Sequence, residues 1–217
     1  MGGKGGVTLP PVLVATRSPH KLREIRDLLS DLAIRVLGPT DLGLAELPEE
    51  DELEPFDTFA LNAMSKAKHF HMRSGIPTLA DDSGLCVDAL DGRPGVRTKR
   101  FAPPDWVERW GRDEANNRWL LEKLSDVARD RRGARYRCAI ALTDALGHEV
   151  VEGAVEGSIA REPRGSGGFG YDPLFIPDGE AETFAELSAS AKEEKSHRSR
   201  AVRSARDWLL EHVVPGP

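Results

Sequence analysis

Residues 12–25 read Val-Leu-Val-Ala-Thr-Arg-Ser-Pro-His-Lys-Leu-Arg-Glu-Ile. The run Val12 to Thr16 is short, apolar and rich in β-branched side chains, the pattern of a buried strand. Ser18 followed by Pro19 has the form of a helix N-cap and first helical position. Leu22, Ile25, Leu28 and Leu29 then recur at helical spacing. The chain therefore opens strand, tight turn, helix. The same alternation continues downstream. A second helix is expected from Asp57 or Thr58 to about Ser74, with Phe59, Ala63, Ala67 and Phe70 on one side and Gly75 and Pro77 as its stop. Thr78–Ala80 and Leu85–Leu90 read as two short strands around a polar turn, Asp81-Asp82-Ser83-Gly84. Asp113 is placed to cap a helix bearing Leu120, Leu121 and Leu124. Tyr136–Leu142 and Glu149–Ile159 form a hairpin pattern through Asp144 to Gly147. A short strand is expected near Leu174–Ile176, and a last helix from Ser196 carries Val202, Ala205, Leu209 and Val213 on one face. Interleaved helices and strands give the α/β class.

Composition narrows the function. The 217 residues hold 39% hydrophobic and 30% charged side chains, enough for a core of ordinary domain size. No internal repeat or long linker divides them. Residues 1–11 are Gly-rich without the apolar stretch of a signal peptide and read as a flexible leader, with 12–217 as one domain. No apolar run nears the roughly 18 residues of a membrane span. The net charge of -6 argues against a general duplex-binding protein, so no nucleic-acid and no membrane partner is expected. Two distant cysteines, Cys86 and Cys138, support neither a disulfide scaffold nor a zinc site, which makes the cytoplasm the default compartment. Gly3-Lys4-Gly5-Gly6 imitates part of a P-loop but lacks its Gly-Lys-Ser/Thr ending and a preceding strand.

Four polar clusters carry possible chemistry, each with a plainer reading beside it. Thr16-Arg17-Ser18-Pro19-His20-Lys21 sets a helix N-terminus and a lysine where phosphate would bind, or is an ordinary capped turn. Asp81-Asp82 offers hard oxygen ligands suited to Mg²⁺, or is a solvated acidic turn. Successive side chains of a strand point to opposite faces, so one acid can serve a cleft while the other organises its surroundings. Gly165 to Pro173 mixes glycines with Phe169, Tyr171 and Asp172: a stacking surface with an acceptor, or a mobile loop anchored by two aromatics. Lys192 with Ser196-His197-Arg198 puts cations at the head of a helix, where the macrodipole disfavours them unless a ligand or carboxylate compensates. Arg129 to Arg137 reads as a solvated turn and edge strand.

The ordered set Thr16-x-Ser18-x-x-Lys21, Asp81-Asp82-Ser83-Gly84-Leu85, Gly168-Phe169-Gly170-Tyr171-Asp172-Pro173 and Ser196-His197-Arg198 resembles the inosine triphosphate pyrophosphatase family, from Val12 to about Leu210. Gly92-x-Pro94-Gly95-Val96 and Arg161-Glu162-Pro163-Arg164-Gly165 add to the likeness. The resemblance implies an elongated, curved mixed sheet flanked by helices, two lobes with a central cleft, and a homodimer. It implies a Mg²⁺-dependent hydrolysis of dITP, ITP and XTP to monophosphate and pyrophosphate. By position, Asp82 is implied as proton acceptor and metal ligand. Thr16, Arg17, Ser18 and Lys21 are implied on the triphosphate, and Ser83 on substrate. Phe169, Gly170, Tyr171 and Asp172 match the loop at the base, and Lys192, His197 and Arg198 the groups that close on the purine. Glu54 is the best match for a second metal ligand. Two departures stand out. Ser18 replaces the family's Asn, and Pro55-Phe56-Asp57 replaces a Thr-Gly pair, which leaves the second ligand open among Glu49, Glu50 and Glu54. The alternative is a Maf-type pyrophosphatase of similar architecture with a pyrimidine or modified-base preference; the terminal Ser-His-Arg favours the purine family.

Overall fold

The computed structural model describes residues 9–214. Its frame is one six-stranded mixed sheet in the order β2-β1-β3-β4-β5-β6, with β1 (Pro11–Val14), β2 (Arg35–Leu37), β3 (Thr78–Val87), β4 (Gly133–Thr143), β5 (His148–Ile159) and β6 (Phe175–Pro177). β1 runs parallel to both β2 and β3, and the pairs from β3 to β6 are antiparallel. The helices are α1 (Pro19–Leu28), α2 (Phe59–Ser74), α3 (Pro104–Trp110), α4 (Arg112–Lys123), α5 (Ala189–Lys195) and α6 (His197–His212). Among the described residues, no helix is long and apolar enough to cross a membrane. Gly3–Gly6 and most of the expected leader lie outside those residues. Pro11, assigned to that leader, already pairs with Arg35 in the sheet.

The helix starts at α1, α2 and α6 follow the sequence reading. Ser18, Thr58 and Ser196 each accept from a backbone N–H three residues on, and Gly75 ends α2 in the left-handed conformation. Four expectations need correction. Asp81–Gly84 is no turn, because β3 runs unbroken through it with every residue paired to β4. That pairing and buried cationic partners override the weak β-propensity of Asp and Gly. Asp88–Leu90, expected as strand, is a 3₁₀ turn. Asp113 lies inside α4, whose N-cap is Gly111, and its carboxylate accepts from the Gly170 N–H instead. The arginine-rich stretch is no sheet edge either. β4 is interior, and Arg135 and Arg137 pair with Glu156 and Glu152 on β5.

Strand alternation distributes the core and opens the site. On one face of β3 and β4, Leu79, Cys138, Ile140 and Leu142 join Val12, Ile25, Val202 and Leu209 beneath α1 and α6. Farther along the same face, Leu85, Val87, Ala134 and Tyr136 join Leu120, Leu124, Phe175 and Phe184. Asp81 and Ser83 stand between these two apolar clusters. On the opposite face α2 covers Ala80, Ala139 and Ala141 with Phe59, Ala63 and Phe70. The polar interval between the clusters is where buried charge collects.

Candidate active site

A cavity of about 680 Å³ opens at that interval. Of the residues singled out from sequence, Thr16, Arg17, Ser18, Lys21, Glu54, Ser83, Phe169, Gly170, Tyr171, Asp172, Lys192, His197 and Arg198 line it. Asp82 does not. It is buried on the α2 side of β3, and Lys66, whose Nζ lies 3.9 Å from its Oδ1, lines the cavity in its place.

The two adjacent acids separate as strand alternation requires. Asp81 faces α1 and α6: its Oδ2 lies 2.8 Å from Lys21 Nζ and 3.3 Å from Arg198 Nε. Burial drives the Asp81 pKa up, but Lys21, Arg198 and Lys66 outweigh it and hold the carboxyl well below the usual carboxylate range. Asp82 Oδ2 accepts from Asn62 Nδ2 at 3.1 Å, and its Oδ1 accepts from the Ser83 N–H. Here burial prevails, and with the charge of Glu54 it lifts the Asp82 pKa above the ordinary value against Lys66. One acid thus anchors cations on the α1 and α6 side, and the other is held on the α2 side by Asn62 and the Ser83 N–H.

Glu54 is the acid that meets Asp82. Its Oε1 lies 2.6 Å from Lys66 Nζ, which links the two carboxylates, and 3.5 Å from Lys99 Nζ. Burial raises the Glu54 pKa, and Lys66 and Lys99 more than reverse that, to about 2. The like charge of Lys21, then burial, lowers the Lys99 pKa to about 8. Asn62 fastens the segment, exchanging hydrogen bonds with both the N–H and the carbonyl of Phe56 while donating to Asp82. Glu50 is committed elsewhere, to Arg17 at 2.7 Å and Arg73 at 2.6 Å, and Glu49 is exposed. Among the described residues no three His, Cys, Asp or Glu side chains gather as a metal cage. The donor set nevertheless fits a hard divalent cation, since Mg²⁺ usually takes one or two carboxylates with water and phosphate oxygens. The Lys66 ammonium already shows that the Glu54–Asp82 pair attracts positive charge.

Arg17 lines the cavity with its side chain held by protein partners. Its guanidinium is spent on Glu50 and on the Leu44 and Ala45 carbonyls, with the Phe70 ring centroid 5.5 Å away. It braces the acidic segment at the cavity wall. Tyr171 also lines the cavity, its hydroxyl donating to the Thr98 carbonyl at 2.9 Å.

The other end of the cavity is aromatic. Phe169 stacks against His20 with ring centroids 5.7 Å apart, and Lys192 Nζ lies 4.9 Å from the Phe169 centroid. Asp172 accepts from Lys192 Nζ at 2.7 Å and from the Phe169 N–H at 2.8 Å. His197 stacks flat on Tyr136, centroids 4.7 Å apart. Burial first, then Arg198 and Lys192, push its pKa well below the normal histidine value. The shift favours the neutral ring, and its buried Nδ1 has no hydrogen-bond partner among the described residues. Arg198 donates to Ser83 Oγ at 3.1 Å and pairs with Glu24 as well as Asp81. Glu24 supplies the carboxylate that α6 needs against its macrodipole.

Lys66, Lys99, Asn62 and Glu24 belong to the site without being singled out by the sequence. A signal exists for two of them. Asn62 and Lys66 flank the apolar stripe Phe59–Ala63–Ala67–Phe70 on α2, and polar groups so close to a buried seam require partners.

Comparison with known proteins gives the family and the fold. The model of the Ham1 family matches residues 12–208. The dITP/XTP pyrophosphatase of Nocardia farcinica is 48% identical over 199 residues, covering 91% of this chain and 93% of that protein. The dITP/XTP pyrophosphatase of Porphyromonas gingivalis is 45% identical, covering 92% and 97%. The structure of a HAM1 protein from Coxiella burnetii superposes with TM-score 0.80 at 35% identity, over 94% of this chain and 100% of that one. A nucleoside-triphosphatase / dITP/XTP pyrophosphatase from Mycobacterium abscessus gives TM-score 0.68 at 42% identity, over 89% and 97%. The mixed sheet with flanking helices is thus shared with solved structures, as the resemblance implies. With a family model spanning every wall of the cavity, and relatives near half-identical along nine-tenths of its length, this chain belongs to the Ham1 family.

Proposed function

We propose that the chain hydrolyses dITP, XTP and ITP to the nucleoside monophosphate and pyrophosphate, with Mg²⁺ held by Asp82 and Glu54. The observation that carries this reading is the convergence of Lys21, Arg198, Lys192 and Phe169 on one cavity that also reaches Glu54. The match to the Ham1 family over residues 12–208 supports it over the Maf-type alternative.

The α1 N-terminus and Lys21 stabilise phosphate charge, with Thr16 and Ser18 shaping the turn. Asp82 is the acid assigned to accept the attacking water's proton, a role typically worth ~10²–10⁴ in rate. Because it sits behind Lys66 and outside the open cavity, the Lys66 ammonium has to give way for the water to reach it. When bound, Mg²⁺ supplies Lewis-acid stabilisation of phosphate oxygens. Lys66 and Lys99, both beside Glu54, add positive charge at the phosphate end. At the aromatic end Phe169 stacks on the purine in place of His20. Lys192 and Arg198 present donors to a 6-oxo group. A 6-amino group leaves such buried donors unpaired, at roughly 1–3 kcal/mol each.

The proposal includes one two-lobed domain, a homodimer of the 23.8 kDa chain, and a cytoplasmic setting. The test is product analysis with dITP, XTP, ITP, dATP and dGTP, with and without Mg²⁺. Pyrophosphate from the first three, dependent on the metal, is expected. Orthophosphate as sole product, or equal rates on dATP, contradicts it; a monomer in sedimentation overturns the dimer alone.

A further inference from the structure

Phe169 stands between two glycines, both in the left-handed region, with φ of 72° at Gly168 and 63° at Gly170. Such a sequence gives the aromatic ring no rigidity of its own, since glycine leaves the backbone on either side free to turn. Something outside the loop must fix the plane in which Phe169 presents itself. On its N-terminal side the Phe169 N–H donates to Asp172 Oδ2 at 2.8 Å, a bond internal to the loop. On its C-terminal side the restraint comes from α4, which carries none of the motifs of the family likeness.

Asp113 and Asn117 lie four residues apart on α4 and therefore on one face of it. Asp113 Oδ2 accepts from the Gly170 N–H at 2.9 Å, and Asn117 Nδ2 donates to the Gly170 carbonyl at 2.9 Å. The first bond fixes the peptide plane between Phe169 and Gly170, the second the plane that follows. Both atoms of one glycine are gripped from a single helix turn. Asn117 is 5% exposed, and among the described residues its side-chain oxygen has no partner. A buried amide that leaves one of its polar atoms unpaired is costly for stability. Among the described residues its side chain bonds only to the loop, so the residue serves the loop and not the helix. Asn116 ties the same helix to the Thr98 and Lys99 carbonyls on another wall, which makes α4 a fixed mount.

Resting on the assignment of Phe169 to the base, we infer that Asp113 and Asn117 are positioning residues that set the Phe169 ring for stacking. They act on recognition of the base and leave the phosphate end alone. A looser ring admits the base in more than one plane, which erodes the alignment of a 6-oxo group with Lys192 and Arg198.

The experiment is calorimetric binding of dIMP and of inorganic pyrophosphate, in Mg²⁺, to the wild type, Asp113→Ala, Asp113→Asn, Asn117→Leu and Phe169→Ala. Asp113 is exposed, so its variants do not challenge folding, and Asn117→Leu keeps the number of side-chain heavy atoms while removing the grip. Asp113→Ala and Asn117→Leu are each expected to weaken dIMP about 5-fold, the worth of one hydrogen bond, with pyrophosphate unchanged. Asp113→Asn, whose amide oxygen still accepts, stays near wild type. Equal loss of both ligands reduces the pair to general structure and overturns the inference, as does unchanged dIMP binding while Phe169→Ala weakens it. If Phe169→Ala also leaves dIMP unchanged, the placement of the base fails, and the inference with it.

Discussion

Asp81 and Asp82 are chemically identical neighbours that one strand assigns to opposite tasks. That division is legible from alternation alone, while their partners are not. Lys21, Lys66 and Arg198 come from α1, α2 and α6, and nothing local distinguishes a lysine bound for a buried carboxylate from a solvated one. Arg17 shows the same at a second position: its pairing with Glu50, 33 residues on, cannot be read from its neighbours in sequence. Asp81→Asn leaves Lys21 and Arg198 buried beside a neutral amide, and is expected to cost about 3 kcal/mol in urea unfolding at pH 7. Because folding depresses the Asp81 pKa, its stabilisation is complete above the unfolded value of about 3.9 and fades as pH falls toward the folded one. The stability gap between wild type and Asp81→Asn therefore narrows as pH falls from about 5 toward 2. A gap independent of pH contradicts the pairing.

The elements that announce themselves are those closed by local chemistry. Ser18, Thr58 and Ser196 form caps within a few residues, and the β4–β5 hairpin is set by its own Asp144–Gly147 turn. Sequence alone splits β3 in two, because its continuity depends on pairing with a strand that begins only at Gly133. α3 and α5 lack the length for a clear apolar stripe. One glycine shows how closely elements must meet to set the site. A Cβ on Gly153 of β5 would lie 2.3 Å from the His197 carbonyl oxygen and 2.5 Å from the Ala201 nitrogen, both backbone atoms of α6. Gly153→Ala must push away the helix turn that carries His197 and Arg198. It is expected to cost about 1–3 kcal/mol in thermal unfolding and to raise KM for dITP several-fold. Wild-type values of both would show that α6 does not seat these residues.

The cleft is the gap between two apolar clusters on one sheet face, bridged by salt links from α1, α5 and α6. The α/β class and the order of the motifs can be read along the chain. Which motifs touch, and that Asp82 sits beneath Lys66 and away from the open cavity, depend on the assembled sheet. The same architecture makes the two ends of the site separable. Phe169→Ala, at the aromatic end, is expected to raise KM for dITP about 10-fold with kcat less affected, because base stacking is lost and the phosphate end is untouched. A loss confined to kcat contradicts that separation. The decisive measurement is on Asp82→Asn, with dITP binding followed by calorimetry and pyrophosphate release by a coupled assay. Binding within a few-fold of wild type and turnover reduced by about 10² or more is the expected result. Turnover retained in Asp82→Asn contradicts the assignment of the proton acceptor, and with it the mechanism built around the buried carboxylate.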